Sequence, residues 1–384
     1  MKILEIYNQA SSAEQFVGDR FSYFQDAGKY EMHLIATPND SVGRFAEEQG
    51  IKYYPVNIAR QVSVKNDVAA LLKIIGYMRK NKFDCVVTSN AKGVLLGQLA
   101  AFITRVPHRI IVAHGVLFDT MHGIKRQLIR FQSKLCAMLS HKTICVSDSV
   151  RRRRLEEGID KASKQVVLGH GTPAGVDTIV QFNPDKVNEP ELNGLKTRLG
   201  LSPEDFVIGF CGRLVKDKGI VELVEAFNLL KQRNPEKSIK MVIIGRREKW
   251  DSIPDATMSV LQNSPDIVFT GFVPHSEIQK YYMLMDVFVL PSYREGFPTV
   301  ILEASAMSVP VVVSRSTGCI DSIIEGQTGI YADISPESIA ESVSLFFDKT
   351  KALEMGENGR NWMVSTFEHT LVNKYWLDFF NSIV

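Results

Sequence analysis

Two glutamates and a tight turn follow an apolar run in the C-terminal half of the chain. The run DVFVL leads into PSYREGFPTVILEA, which contains Glu295, Gly296, Pro298 and Glu303. Gly296 permits a tight turn, and Pro298 suits the first position of a helix, whose free N–H groups can seat an anion such as a diphosphate. The carboxylates of Glu295 and Glu303 can accept hydrogen bonds from vicinal hydroxyls. This spacing suits a ribose and a sugar ring.

A second motif, GFCGRLVKDKG, places two cations directly after another apolar run. Arg213 can fork onto two oxygens and Lys218 acts as a point charge, so the pair can hold a diphosphate leaving group. Such cations stabilise the charge of a leaving group without a metal ion. The alternative is that these two cations, and the two glutamates, are ordinary solvated groups near helix ends. Both motifs in one chain favour a site.

A third candidate is His114 in the segment IIVAHG. It stands at the carboxyl end of a predicted strand, next to a glycine that permits close approach of a ligand. We expect it to face a cleft, and a purely structural histidine is the alternative. The other histidines that we considered, His108, His122, His141 and His170, have no comparable context.

The candidate residues of the three motifs can share a site only if their strands end at the same edge of a sheet. In the first half, short β-rich runs alternate with amphipathic stretches, which predicts a parallel sheet with crossover helices. The predicted strands are 2–7, 32–36, 52–56, 85–88, 109–113, 143–146 and 165–168, and the helices include 64–79, 92–104 and 123–139. A second series follows, with strands 206–211, 240–244, 267–270, 287–290 and 309–313 and helices 219–232, 274–283, 299–307 and 336–349.

The predicted fold class is α/β, with two doubly wound parallel-sheet, Rossmann-like domains facing a cleft. We place the N-terminal domain at 1–170, a Gly-, Pro- and Asn-rich link at 171–205 and the C-terminal domain at 206–360. The aromatic-rich segment 361–384 is expected to form a C-terminal helix that packs across both domains. Open α/β sheets bind ligands at the carboxyl ends of their strands, so the chemistry is expected in the cleft.

Composition agrees with two soluble domains: 384 residues, 45% apolar and 23% charged. Five widely spaced cysteines indicate buried thiols rather than disulfides or a metal site. The most apolar stretch, 94–103, is far shorter than the roughly 20 residues that span a bilayer. Residues 1–180 hold 25 Lys/Arg against 16 Asp/Glu, and the remainder holds 20 against 27, so the halves are expected to meet different partners.

Taken together, GRLVKDKG, the glutamate pair in REGFPTVILEA and the strand-end AHG resemble glycosyltransferase family 4, retaining enzymes of the GT-B fold. The resemblance implies transfer of a sugar from a nucleotide-sugar donor to an acceptor hydroxyl with the anomeric configuration kept. It also implies that the N-terminal domain lies on the acceptor side and that the C-terminal domain binds the nucleotide sugar. It implies donor-binding residues Arg213, Lys218, Glu295, Gly296, Phe297, Thr299 and Glu303, and catalytic residues His114, Arg213, Lys218 and Glu295. The leaving diphosphate would take the acceptor's proton, so no separate protein base is required. No metal or other cofactor is expected, which fits the absence of an Asp-x-Asp motif from the chain.

The segments AHGVLFD, ICVSDSVRRR and GHGTPAGVD are similar to bacterial transferases of capsular polysaccharide and O-antigen assembly. This likeness implies a UDP-sugar donor, often N-acetylated, and a lipid diphosphate-linked saccharide acceptor at the cytoplasmic face of the cell membrane. The first strand-to-helix loop, NQASSA, lacks the Gly-Gly pair of many family members, and Ala174 stands where Asn is usual.

Residues 121–165 carry eleven Lys/Arg and four acids, and apolar residues recur among the first cations at helical spacing. A basic amphipathic helix can lie on an anionic membrane, each cation adding about 1 kcal/mol. The alternatives are that the apolar stripe is core, or that the cations attract nucleic acid. We favour peripheral membrane contact and no nucleic-acid partner, with acceptor and membrane contacts at Lys125, Arg126, Arg130 and Lys134.

Two other functions stay open. The chain could be a nucleotide-sugar epimerase or hydrolase on the same scaffold, or a non-catalytic module that binds sugar nucleotides. An NAD-dependent dehydrogenase is disfavoured because no G-x-G-x-x-G follows a strand.

Overall fold

The chain forms two compact units. The computed structural model describes residues 1–59, 61, 63–248 and 252–383. Unit 1 comprises Met1–Ala174 and Thr370–Val384, and unit 2 comprises Gly175–His369. The chain therefore passes between the units twice, within the predicted link and near the C-terminus.

Unit 1 is built on a seven-stranded sheet in which all pairings are parallel. The strand order is β3-β2-β1-β4-β5-β6-β7. The strands are β1 Lys2–Ile6, β2 Glu31–Ala36, β3 Lys52–Pro55, β4 Cys85–Thr88, β5 His108–Ala113, β6 Lys142–Cys145 and β7 Gln165–Val166. The central strands are almost entirely buried, as expected of a parallel sheet covered on both faces. All seven predicted strands of this half are present.

The connections of unit 1 are mostly helical. The helices are α1 Ala10–Val17, α2 Arg20–Asp26, α3 Val42–Glu48, α4 Val64–Asn81, α5 Ala91–Ile103, α6 Gly123–Leu139 and α7 Asp148–Glu156. Gly97 lets α5 lie close to β4, because a Cβ at this position would stand 2.5 Å from the Thr88 methyl group. The helix α5 packs between α4 and α6.

Unit 2 contains a six-stranded parallel sheet in the order β10-β9-β8-β11-β12-β13. Its strands are β8 Phe206–Cys211, β9 Ile239–Ile244, β10 Ile267–Gly271, β11 Val287–Leu290, β12 Val311–Ser314 and β13 Gly329–Ala332. Its helices are α8 Glu189–Arg198, α9 Ile220–Arg233, α10 Asp255–Asn263, α11 Ile278–Tyr282, α12 Thr299–Ala306, α13 Pro336–Ser344 and α14 Lys349–Thr366. The short edge strand β13 is not among the predicted strands.

The segment predicted as an irregular link contains a helix. Residues 175–205 belong to unit 2, and α8 lies within them. The side chain of Asn188 caps α8 by accepting a hydrogen bond from the Glu191 amide, and Leu195 is its buried apolar anchor. With one buried residue in ten, α8 has too weak a hydrophobic period to be seen in the sequence.

The C-terminal aromatic segment is divided between two helices. Its first part lies in α14 of unit 2, and α15, His369–Ser382, packs in unit 1 from Thr370 onward. Within unit 1, the indole of Trp376 is buried and donates a hydrogen bond to the Pro173 carbonyl at 3.1 Å. The ring of Phe380 packs edge-on against Phe24. Trp376 and Phe380 are therefore core residues of unit 1.

Candidate functional site

Three loops meet at the carboxyl edge of the unit 2 sheet, after β8, β11 and β12. Gly219 has φ +67°, and a Cβ there would stand 2.2 Å from the Pro291 carbonyl oxygen. Gly318 has φ +84°, and its Cβ would stand 2.6 Å from the Gly296 carbonyl oxygen. Only glycine permits both the backbone angle and the close approach. The REGFP loop is therefore clamped between its two neighbours.

Lys218 and Glu295, predicted from separate motifs, form an ion pair in this edge. Their side chains are 16% and 14% exposed, so the pair is mostly shielded from solvent. The Glu295 amide donates to the Thr317 carbonyl at 2.9 Å, which fixes the loop that carries the carboxylate. The structure thus brings the cation predicted to bind the diphosphate and the acid predicted to bind the sugar into direct contact. Their charges compensate each other until a ligand competes for one of them.

Glu303 is buried and lies in the second turn of α12. The Tyr282 hydroxyl donates to its Oε2 at 2.7 Å, and the His275 Nε2 lies 3.2 Å from its Oε1. The hydrogen bond with Glu303 raises the pKa of His275 above its usual value, and burial raises the pKa of Tyr282 well above its own. Neither partner was predicted, because no local pattern links them to Glu303. The available signal was a histidine separated from the predicted strand 267–270 by the segment GFVP.

The other residues predicted to bind the donor lie in or next to the loops that follow β8 and β11. Pro298 has non-helical angles and is the N-cap of α12 instead of its first helical residue, and the helix begins at Thr299, where the predicted range 299–307 begins. Phe297 is buried, and its ring packs against Phe367 with centroids 5.3 Å apart. Arg213 is exposed and follows β8. Gly296 lies in the REGFP loop, between the loops that carry Gly219 and Gly318.

His114 belongs to the other unit, at the end of β5. Its ring stacks on Phe16 with centroids 4.1 Å apart, and its Nε2 lies 3.2 Å from the Ser89 hydroxyl. Burial, with a smaller contribution from the Arg20 charge, lowers the pKa of His114 to about 3. The imidazole is therefore neutral at ordinary pH, able to exchange hydrogen bonds with a sugar but poorly suited to accept a proton.

The apolar stripe of α6 faces solvent. At about 100° per residue, its members fall within an arc of about 80°. They are Ile124, Leu128, Phe131, Leu135 and Met138, and the first, third and last are 80%, 67% and 76% exposed. The interpretation of this stripe as core is therefore wrong. Among the described residues, no helix has the length and apolar character needed to cross a membrane.

The four predicted cations of α6 have different surroundings. Arg126 and Arg130 point to the protein side and form ion pairs with Glu157 at 2.6 and 3.0 Å. By the helical angle, Lys125 and Lys134 flank the apolar stripe on its two sides. The arginines therefore hold α6 to the end of α7. Lys125 borders the exposed face, and the half-buried Lys134 reaches toward Gly158, where a Cβ would stand 3.7 Å from its Nζ.

Within the described part of the chain, one group of acid and histidine side chains is close enough to share a metal ion. It consists of Asp177, Glu368 and His369, whose ligand atoms all lie within 4.8 Å of one another. Both acids also accept hydrogen bonds from backbone amides. Asp177 accepts from the Ile179 and Val180 amides, and Glu368 accepts from the Thr178 amide. These bonds explain the cluster as a brace between the two ends of unit 2.

Comparison with known proteins accounts for both units. The description "Glycosyl transferases group 1" matches residues 195–362, and "Glycosyl transferase 4-like domain" matches residues 22–171. Together the two matches cover most of the chain, which therefore belongs to the glycosyltransferases that these two descriptions define. The resemblance inferred from the motifs is confirmed, and the matched segments contain every predicted site residue.

The glycosyltransferase is similar to enzymes of surface polysaccharide assembly. It is 29% identical to the capsular polysaccharide biosynthesis glycosyltransferase CapM of Staphylococcus aureus, over 89% of this chain and 87% of that protein. It is 25% identical to the UDP-Gal:alpha-D-GlcNAc-diphosphoundecaprenol alpha-1,3-galactosyltransferase of Escherichia coli, over 76% and 73% of the two chains. These relatives support an enzyme that acts on polysaccharide or lipid-linked saccharides.

The fold of the glycosyltransferase matches solved structures throughout. Anabaena HepE, in complex with UDP-glucose, superimposes with a TM-score of 0.81 over the whole of both chains, at 18% identity. At this identity the likeness concerns the fold. Together with the two parallel sheets, it confirms the predicted α/β class and GT-B architecture.

Proposed function

We propose that the chain is a retaining glycosyltransferase that moves a sugar, of the N-acetylhexosamine type, from a UDP-linked donor to a lipid diphosphate-linked saccharide in bacterial surface polysaccharide synthesis. The observation that carries this proposal is the Lys218–Glu295 ion pair, beside buried Glu303, at one edge of the unit 2 sheet. Groups for a diphosphate, a sugar and a ribose stand together there. The E. coli relative named above takes UDP-Gal and an undecaprenol-linked acceptor, which supports a UDP-linked donor and a lipid diphosphate-linked acceptor.

Each donor group has a partner in the proposed complex. Lys218 and Arg213 bind the diphosphate, and the amides at the start of α12 add hydrogen bonds. Glu303, held by Tyr282, accepts from the ribose hydroxyls. Glu295 accepts from sugar hydroxyls once the diphosphate competes for Lys218.

In the proposed reaction, the bond from the anomeric carbon to the diphosphate oxygen breaks with its electron pair going to that oxygen. The acceptor oxygen bonds to the same face of the anomeric carbon, and its proton passes to the departing diphosphate. The cations stabilise the charge that develops on the leaving group, and this arrangement needs no metal ion. Neutral His114 hydrogen-bonds the sugar and is not the base.

A thermal-shift panel with UDP, GDP, ADP and TDP, with and without EDTA, tests the donor site. A ligand at 100 times its dissociation constant adds about 2.7 kcal/mol of stability. We expect a shift with UDP that EDTA leaves unchanged and that Lys218→Ala removes. The control Lys186→Ala alters an exposed cation of unit 2 and should keep the shift. No shift with any nucleotide would contradict the proposal.

Retention is tested separately on the product of transfer. Proton NMR of the new linkage should show the same anomeric configuration as the donor sugar. An inverted product would refute the same-face mechanism while leaving the donor site intact.

We also propose that the enzyme associates peripherally with the inner face of the cell membrane through α6. Its exposed apolar stripe can enter the headgroup region while Lys125 and Lys134 meet anionic lipid. The doubly substituted Leu128→Ser/Phe131→Ser chain should lose co-sedimentation with phosphatidylglycerol vesicles at low salt. The control Leu353→Ser changes an equally exposed leucine on α14. Equal sedimentation of both variants would refute the assignment.

A further inference from the structure

Three polar side chains stand directly after three neighbouring strands of unit 1. Tyr7 follows β1, Ser89 follows β4 and His114 follows β5, and these strands are adjacent in the sheet. Ile6 is in register with Thr88, so the next residues, Tyr7 and Ser89, lie side by side with their side chains on the same face. The Ser89 amide donates to the Ile6 carbonyl at 3.0 Å, which continues this pairing past the strands.

Hydrogen bonds join these side chains to a buried carboxylate. The Nε2 atom of His114 lies 3.2 Å from the Ser89 hydroxyl, which is also hydrogen-bonded to the Tyr7 hydroxyl. The Tyr7 hydroxyl donates to Oε2 of Glu5 at 2.8 Å, and the Arg20 guanidinium donates to both Glu5 oxygens, at 3.1 and 3.0 Å. Glu5, Tyr7, Ser89 and His114 thus form a polar row. Its first three members are at most 1% exposed, so bulk water does not replace their bonds.

The carboxylate sets the direction of every hydrogen bond in the polar row. A carboxylate only accepts, so the single hydroxyl proton of Tyr7 goes to Glu5. Burial and the Glu5 charge raise the pKa of Tyr7, which keeps that proton in place. The Tyr7 oxygen then accepts from the Ser89 hydroxyl, because its own proton is already used. For the same reason the Ser89 oxygen accepts from His114, whose proton therefore lies on Nε2.

This direction leaves the other ring nitrogen of His114 as an acceptor. A neutral imidazole carries one proton, so a proton on Nε2 leaves a lone pair on Nδ1. Among the described residues, none donates a hydrogen bond to Nδ1. The ring of Phe16 stacks on the imidazole with an angle of 18° between the planes, which fixes the direction in which the lone pair points.

We propose that Glu5, Tyr7 and Ser89 are positioning residues that hold His114 in its Nε2–H tautomer, so that Nδ1 accepts a hydrogen bond from a hydroxyl of the transferred sugar. This inference rests on the proposed function, in which His114 hydrogen-bonds that sugar. A site that keeps an acceptor for a hydroxyl disfavours a sugar without it, because the acceptor is then left unpaired. The polar row therefore makes the enzyme selective for a sugar with a hydroxyl at this position.

Nitrogen-15 NMR of the full chain, labelled in histidine, measures the tautomer. The His114 signals are identified by their loss in His114→Asn, and the Nε2–H form should be the major one. In Tyr7→Phe the Ser89 hydroxyl is free to donate to Nε2, and in Ser89→Ala Nε2–H loses its acceptor. The ratio of Nε2–H to Nδ1–H should therefore fall at least about fivefold in each variant. The control Tyr30→Phe removes a hydroxyl that donates to Asn381 at 2.8 Å and should leave the ratio unchanged.

The same spectra report on the sugar. Saturation with UDP-N-acetylglucosamine or UDP-N-acetylgalactosamine should move the Nδ1 signal of His114, because the lone pair gains a donor, whereas UDP alone should leave it in place.

A proton on Nδ1 in the unaltered chain would overturn the inference, as would an unchanged ratio in both Tyr7→Phe and Ser89→Ala. A UDP thermal shift combined with an Nδ1 signal that neither sugar nucleotide moves would also overturn it. An absent UDP thermal shift would refute the proposed donor alone, and the tautomer ratios, measured without a ligand, would still decide the role of the polar row.

Discussion

The contact between Lys218 and Glu295 makes an unusual prediction for Glu295→Gln. The substitution removes the negative charge that holds the Lys218 ammonium in the free protein. At 14–16% exposure the pair lies between the surface and core regimes, so its loss should cost about 1–3 kcal/mol of stability. The freed ammonium can then bind a diphosphate without first leaving its partner. UDP should therefore bind more tightly, by about 1 kcal/mol or roughly fivefold.

The rate of sugar transfer, in contrast, should fall in Glu295→Gln. Glu295 is expected to make a charge-assisted hydrogen bond to the sugar, and losing one costs about 1.5–3 kcal/mol, or roughly 10- to 150-fold in rate. Calorimetry gives the UDP affinity, UDP release with acceptor present gives the rate, and thermal unfolding gives the stability. The matched control Glu341→Gln alters an exposed acid of α13. If UDP affinity falls in parallel with transfer, Glu295 does not compete with the diphosphate for Lys218, and the reasoning fails.

Three further predictions concern buried hydrogen bonds and titration. Tyr282→Phe removes the donor at 2.7 Å from Glu303 and should weaken UDP binding by about 1 kcal/mol, or roughly fivefold; unchanged calorimetric affinity would contradict the assigned role. In the folded state His114 stays neutral down to its pKa of about 3, whereas in the unfolded chain it is protonated below about pH 6.5. Protonation therefore favours the unfolded chain, and the free energy of unfolding falls as the pH drops through this window. Urea unfolding of His114→Asn should accordingly show a shallower acid loss of stability than the unaltered chain between pH 6.5 and 4, and equal slopes would refute its burial. The pKa of His275 is raised in the folded protein, so its contribution to stability is complete below about pH 6.5 and is lost as the pH rises through the pKa of the folded state. In the same assay, the difference in free energy of unfolding between the unaltered chain and His275→Asn should therefore narrow from about pH 6 to about pH 8.5.

The strands that position the site were readable in the sequence because they are apolar from end to end. The predicted ranges 85–88, 206–211 and 287–290 coincide with β4, β8 and β11. Among the elements that were not predicted, α8 and β13 are short or only partly buried, so their patterns are weak. Hydrophobic periodicity reports burial, and an element that buries little leaves little signal.

The same limit applies to surfaces. The stripe on α6 has the period of a core helix, and its spacing would be identical whether it faced a sheet or water. Its exposure became visible only with the neighbouring elements in place. Likewise, the four cations of this segment look alike in sequence, yet Glu157 of the next connection engages Arg126 and Arg130.

The sequence determined which chemical groups stand at the strand ends, because parallel strands bring their carboxyl ends to one edge and both motifs directly follow strands. It therefore contained the cations, the acids and the histidine, together with the family. The tertiary structure decided how these groups act: that Lys218 neutralises Glu295, that Tyr282 and His275 hold Glu303, and that burial keeps His114 uncharged. Pairing, protonation and exposure depend on the distance to groups far away along the chain, and only folding sets those distances.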